Sequence, residues 1–237
     1  MSAPLWQSIR DQLVAEISSG QFAPGARLPT EAALAARFGV NRHTIRHAIA
    51  TMREDGLVRS RRGAGVFVTA APVDYRVGQR TRFTQPLAEQ GHSSARRVLR
   101  LEEIPATDRH AGHLDIAVGD PVLVLESIGL IDSHPATHGQ GVFPLERVPR
   151  LPAALEETSS ITAALSAVGV TDYSRAWTRI SAVRAAGAIA RHLEVTDGSP
   201  LIRTRSLNID ADGRPIELGR TYFCADRIEL LVEASDL

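Results

Sequence analysis

The chain has 237 residues, 43% hydrophobic and 23% charged, enough for a packed core in one large domain or two ordinary ones. No apolar run approaches the ~20 residues that cross a bilayer, and the N-terminus lacks the basic, apolar and small-residue succession of an export signal. A single cysteine, Cys224, excludes an intramolecular disulfide and a thiolate metal cluster, so a cytoplasmic protein with a buried thiol is expected.

Net charge is zero, but it is unevenly spread. Residues 1–70 carry nine Arg against five acids, and residues 71–237 carry 18 Arg against 22, so a basic module precedes a mildly acidic one. All 27 basic residues are arginine, so every phosphate contact falls to Arg or to a neutral donor.

In chain order, Trp6, Ile9, Leu13 and Ile17 form the stripe of an amphipathic helix, closed by Gly20 and Pro24-Gly25. Pro29-Thr30-Glu31 caps a short second helix burying Leu34 and Phe38 and ending at Gly39. Asn41 caps a third, which buries Ile45, Ala48, Ile49 and Met52 and ends at Gly56. Leu57-Val58 and Val66-Phe67-Val68 predict two short strands around the turn Arg61-Arg62-Gly63-Ala64-Gly65. Three helices and a hairpin over 1–70 make a winged helix-turn-helix. Residues 71–80, with Pro72 and Gly78 and no period, read as a linker to a second domain over 81–237.

That domain reads as mixed α+β. Strands are predicted near 97–104, 121–130, 172–183, 200–209, 215–224 and 228–233, and helices near 84–90, 107–116, 152–168 and 186–195. It carries an internal echo. His113-Leu114-Asp115-Ile116 with Gly119 and Pro121 matches His192-Leu193-Glu194-Val195 with Gly198 and Pro200 at an offset of 79. Asp132, Pro135 and Phe143 match Asp212, Pro215 and Phe223 at an offset of 80. Each half is a helix followed by a β-hairpin, and two such halves meeting at a pseudo-two-fold create a cleft suited to a ligand.

On the third helix, Arg42, Arg46 and Arg53 fall opposite the apolar face, with His43 and His47 beside them. The start of such a helix enters the DNA major groove, where Arg donates paired hydrogen bonds to guanine. Arg42, His43 and Arg46 are placed for base edges, and Thr44 for phosphate or the helix start. Arg61, Arg62 and Gly63 suit a wing touching phosphate or the minor groove. The rival reading of these residues is a solvated basic face.

LPTEAALAARFGVNRHTIRHAIATMREDGLVRSRRGAGVFV (28–68) resembles the winged-helix signature of the GntR family of bacterial regulators. The resemblance implies DNA contacts at Arg42, His43, Thr44, Arg46, Arg62 and Gly63. It departs at Ala32, where the family often has Arg, which shifts weight to the wing. FPLERVPRLP (143–152), SSITAALSAVGV (159–170), GSPLIRTRSLNIDADGRPIELG (198–219) and ADRIELLVE (225–233) resemble the UTRA sensory domain of the HutC subfamily, a fold similar to chorismate lyase. RTRFT (80–84) and DYSRAWTRISA (172–182) resemble regulators of phosphonate uptake and breakdown. The implied protein is a one-component regulator, most simply a repressor: a homodimer on a palindromic operator, controlled by a small anionic metabolite such as a phosphonate or phosphate ester.

Arg175 and Arg179, four apart on a predicted strand, are expected to share a face with Trp177 between them, and Arg203 and Arg205 pair similarly. Guanidinium forks suit phosphonate oxygens. Glu126 and Glu217 are the alternative partners of these arginines and complete the candidate set. By the resemblance, Arg82, Phe83 and Thr84 begin the domain's first helix, and Ser160 and Thr162 a second helix start where N–H groups suit an anion. Glu217, Thr221 and Phe223 alternate on one strand face.

His134 and His138, in a Pro/Gly-rich loop, and His110 and His113, on a helix, complete no recognisable ligand spacing, so no metal and no cofactor are expected. The rival from another class is a chorismate-lyase-like enzyme fused to a DNA anchor. The chain lacks a G-x-S-x-G, a Cys/His pair and an obvious acid/base dyad, which disfavours it. An architectural DNA-binding protein without ligand is disfavoured by the arginine-rich duplicated domain.

Overall fold

The computed structural model describes residues 4–61, 65–69, 72–78, 87, 90–158 and 160–233. The chain divides into two compact units, Met1–Ala71 with Glu194–Thr196 and Pro72–Leu193 with Asp197–Leu237.

The first unit holds α1 (Leu5–Ser18), α2 (Glu31–Phe38), α3 (Arg42–Glu54) and the antiparallel pair β1 (Val58–Arg61) and β2 (Gly65–Val68). Leu13, Leu34, Ile45, Ala48 and Met52 are fully buried in one apolar cluster. Each large side chain there contributes roughly 1.5–3 kcal/mol over its exposed state. The helix starts are capped as the residue types require: Thr30 Oγ1 accepts from Ala33 N at 3.2 Å, and Asn41 Oδ1 from Thr44 N at 2.9 Å. Gly39, at φ 64°, ends α2 in the left-handed conformation that costs glycine nothing. Arg37 grips Glu16 through both guanidinium nitrogens, tying α2 to α1.

The second unit is built on a six-stranded antiparallel sheet in the order β4-β5-β6-β9-β8-β7. Its strands are β4 (Ser94–Pro105), β5 (Pro121–Ile131), β6 (His134–Pro144), β7 (Tyr173–Arg184), β8 (Pro200–Asp210) and β9 (Pro215–Cys224). The order is palindromic because the chain is duplicated. Each half is one long strand, a short helix and a hairpin, the helices being α4 (Asp108–Leu114) and α7 (Gly187–His192). At the seam Gln140 faces Arg220, residues 80 apart, so the pseudo-two-fold passes through that pair. The register repeats too: Arg96 lies opposite Gly129 in one half and Arg175 opposite Asn208 in the other, each displaced by 79.

Three expectations are corrected. Within the supposed 71–80 linker, Val73–Arg76 forms β3, which pairs in parallel with β10 (Ile228–Leu231). Val73 is buried with Ile228, Leu87 and Phe223. Four residues are too few to show a period, and the partner lies at the far end of the chain. The Pro/Gly-rich 134–144 is strand β6, not a loop, ordered by ladders on both sides. The single helix near 152–168 is two, α5 (Leu151–Glu157) and α6 (Ile161–Ala167), because Ser160 caps a new start by accepting from Ala163 N at 3.2 Å. The helix expected near 84–90 lies almost wholly outside the described residues. No described helix is long and apolar enough to cross a membrane.

Candidate functional site

On α3 the apolar stripe is buried and Arg42, His43, Arg46, His47 and Arg53 are exposed. Thr44 is engaged at the helix start, its Oγ1 donating to Asn41 Oδ1 at 3.0 Å. Arg46 is ion-paired to Glu31 on α2 at 2.9 Å, and that bond holds the Glu31 carboxyl below its ordinary range. Arg46 is therefore aimed from α2 before any partner arrives. His47, grouped with the basic face from sequence, stacks on Trp6 with ring centroids 4.3 Å apart and is a packing residue. Arg61 stands opposite Gly65 in the β1–β2 ladder, while Arg62 and Gly63 lie outside the described residues. Sequence reading missed Arg27. Gly65, at φ 113°, leaves room for it: a Cβ there would sit 2.8 Å from Arg27 Nε. A loop arginine has no period to betray it.

In the second unit a cavity of about 130 Å³ opens against one sheet face. Tyr75, Arg96, Ser127, Thr137, Arg175, Thr178, Thr204, Ser206, Asn208, Glu217 and Thr221 supply its polar lining, with Phe223 and Ile161 among the apolar residues. Glycines clear the floor. A Cβ on Gly141 would lie 2.8 Å from the Phe143 ring and 3.0 Å from Glu217 Oε1, and one on Gly219 2.7 Å from Ser206 Oγ.

The two halves treat their equivalent arginines differently. Arg175 Nε donates to Asn208 Oδ1 at 2.7 Å and its Nη1 to Thr178 Oγ1 at 3.2 Å. Asn208 Nδ2 in turn donates to Glu217 Oε2 at 2.7 Å. Arg96 faces Gly129, which has no side chain to offer, and its buried Nη1 has no hydrogen-bond partner among the described residues. Burial pushes the Arg96 pKa down, opposed by the Glu217 charge. Burial likewise pushes the Glu217 carboxyl up, against the pull of Arg175, Asn208 and Arg96. Tyr75 is pushed up to about 12 by burial, so its hydroxyl stays a neutral donor.

Of the residues singled out from sequence, Thr162, Arg175, Glu217, Thr221 and Phe223 line this cavity. Thr162 Oγ1 lies 3.0 Å from Tyr173 Oη. Arg179 does not share a face with Arg175. A β-bulge between Arg175 and Trp177 inserts one residue and reverses every later side chain, so Thr178 lines the cavity while Arg179 lies over the Trp177 ring at 5.3 Å. Arg203 and Glu126 also fall outside the lining: Arg203 Nε donates to Ser181 Oγ at 3.1 Å, and Glu126 stands beside His138. Ser160 serves as a helix cap. Arg82, Phe83 and Thr84 lie outside the described residues. Arg96 was the important omission, and a signal for it existed, since the offset of 79 maps Arg96 onto Arg175.

Residues 5–68 match the family described as bacterial regulatory proteins, gntR family, and residues 89–229 match the UTRA domain. An "Uncharacterized HTH-type transcriptional regulator" of Rhizobium meliloti is 36% identical over 98% of this chain and 96% of its own. The "Probable transcriptional regulator PhnF" of Escherichia coli is 34% identical over 96% of this chain and 94% of its own. Among solved structures, PhnF from Mycobacterium smegmatis superposes with a TM-score of 0.64 at 25% identity, covering 95% of this chain and 98% of that one.

Proposed function

The chain belongs to the gntR family of bacterial regulatory proteins, as a DNA-binding transcriptional regulator with a UTRA domain and not an enzyme, and from that premise we propose how it is controlled. It is a repressor that binds as a homodimer to a palindromic operator. A small anion entering the sheet cavity releases it. The observation carrying this reading is Arg96, a half-buried arginine beside the cavity with a nitrogen that finds no partner among the described residues. An unmet buried charged donor is costly, and an anion bound there removes the cost.

The effector class follows from the lining. Arg175 is already tied into the Asn208–Glu217 relay, so the anionic group belongs with Arg96, with Tyr75 and the threonine and serine hydroxyls as further donors. Glu217 repels an anion and accepts a hydrogen bond, which places an amino or hydroxyl group of the effector on its side. A phosphonate or phosphate ester with such a substituent meets both demands. Linkage requires the effector to bind the DNA-incompetent arrangement more tightly.

On the DNA side, Arg42, His43 and Arg46 read bases, Thr44 contacts phosphate at the helix start, and Arg61, Arg62 and Gly63 form the wing contact. The test is to titrate operator complexes with inorganic phosphate, alkylphosphonates, aminoalkylphosphonates, sugar phosphates, carboxylates and neutral sugars. Release by a phosphonate or phosphate ester is the expected result, and release by a neutral or carboxylate compound alone overturns the effector class. Arg42→Ala is expected to lose about 1–3 kcal/mol of operator preference. Arg61→Ala with Arg62→Ala is expected to flatten the salt dependence by up to about 0.9 per lost phosphate contact.

A further inference from the structure

On the sheet face away from the cavity, Glu126 of β5, His138 of β6 and His192 at the end of α7 converge, with one ligand atom of each within 4.8 Å of the others. His138 is only 3% exposed, yet its Nε2 has no hydrogen-bond partner among the described residues. That nitrogen lies 3.1 Å from Glu126 Oε1 without hydrogen-bond alignment. His192 Nδ1 is also buried and without a partner among the described residues, and the two rings stack with centroids 5.1 Å apart and planes 12° apart. A buried polar atom left unmet keeps its desolvation penalty with nothing to offset it. Two imidazoles with unmet nitrogens and one carboxylate, gathered this closely, are accounted for together by an occupant that accepts lone pairs.

The other half of the sheet shows that the architecture does not require this. At the symmetry-related position the repeat offsets place His113, Arg205 and Leu218 in place of His192, Glu126 and His138. Leu218 packs there among Leu114, Val124 and Val142, so an apolar side chain fills the equivalent space. His113 is satisfied locally, its Nδ1 lying 2.9 Å from the Arg109 carbonyl.

We infer that Glu126, His138 and His192 form a binding site for a divalent transition-metal ion of the zinc type, with a fourth position open to water. Metal–ligand bonds of about 2.0–2.2 Å put tetrahedral ligand atoms roughly 3.3 Å apart. Glu126 and His138 already stand at 3.1 Å, and the His192 ring, which now lies parallel to that of His138, has to turn out of the stack to bring a nitrogen to the same point. Two imidazoles and one carboxylate suit zinc, cobalt or nickel over calcium or magnesium. The ion would pin α7 to the two strands β5 and β6. Arg220 is the nearby opposing cation, drawn aside by its Nη2 bond to Gln140 Oε1 at 2.9 Å.

The test uses the full chain after chelator treatment, titrated with Co(II) and Zn(II) and followed by equilibrium dialysis and the visible spectrum of cobalt. One ion per chain is expected, with imidazole-type cobalt bands. Glu126→Gln and His138→Leu, the latter copying the apolar residue of the other half, should each weaken binding at least tenfold with an unchanged circular dichroism spectrum. His113→Ala should bind as wild type does. No uptake, or uptake that survives both Glu126→Gln and His138→Leu, overturns the site. Should His138→Leu fail to fold, Glu126→Gln, at a half-buried residue, decides alone.

Discussion

The two halves of the six-stranded sheet share strand order, register and helix placement, yet one half closes its polar groups on itself and the other leaves them open. Around β7–β9, Arg175, Asn208 and Glu217 form a continuous hydrogen-bonded relay. Around β4–β6, the counterparts Arg96, Gly129 and Thr137 form none among the described residues, where a nitrogen of Arg96 stays unpartnered. On the outer face the asymmetry recurs, with His138 where Leu218 stands in the other half. Duplication supplied the scaffold, and departures from symmetry mark where something other than the chain itself completes the chemistry.

The sharpest way to break this comparison is to exchange the roles of the two arginines. Arg96→Ala is expected to weaken the anionic effector by tenfold to more than a hundredfold, since a charged hydrogen bond contributes roughly 1.5–3 kcal/mol. Its melting temperature should stay near wild type. Arg175→Ala, which strands Asn208 and Glu217, should lower the melting temperature as well. Calorimetric titration and thermal melts on both variants check this, and equal behaviour would remove the distinction between the halves.

A smaller effect is expected at the cavity floor. Gly141→Ala puts a methyl against Phe143 and Glu217, at a cost of about 1–3 kcal/mol for overpacking. The repeat-equivalent Thr221 already carries a Cβ, so Thr221→Ala should be milder. A thermal melt that ranks them the other way would show that the floor relaxes freely.

Smaller still is a pH effect. Burial raises the Glu217 pKa above its ordinary 4.5, so its favourable contribution is present below that value and is lost as pH rises through the folded-state pKa. Wild type should therefore lose stability relative to Glu217→Gln on going from about pH 4.5 upward. A constant difference across that range would mean the carboxyl is not desolvated. The smallest change is expected at Arg179, where Arg179→Ala removes only its contact with Trp177, about 0.5–1 kcal/mol. Its effector response should match wild type, and a lost response would place Arg179 at the ligand after all.

The three helices of the first unit were legible in the sequence, while its strands run longer than expected, Arg61 and Gly65 joining β1 and β2. The apolar stripe of α3 and the caps Thr30 and Asn41 are local, set by a period of 3.6 and by side chains bonding three residues ahead. The duplication was equally legible, because an offset of 79 or 80 needs no fold to be seen. Tertiary structure alone decided which strand residues meet. A one-residue bulge at β7 sent Arg179 to the far face while Arg175 stayed in the cavity, and nothing in the local sequence announces a bulge. Val73–Arg76 became a strand only because β10 came back beside it, and His138 became buried because α7 packs over β6 and sets the His192 ring on it. Helix faces follow from neighbours along the chain, whereas sheet faces depend on register with distant strands, and one inserted residue reverses everything beyond it.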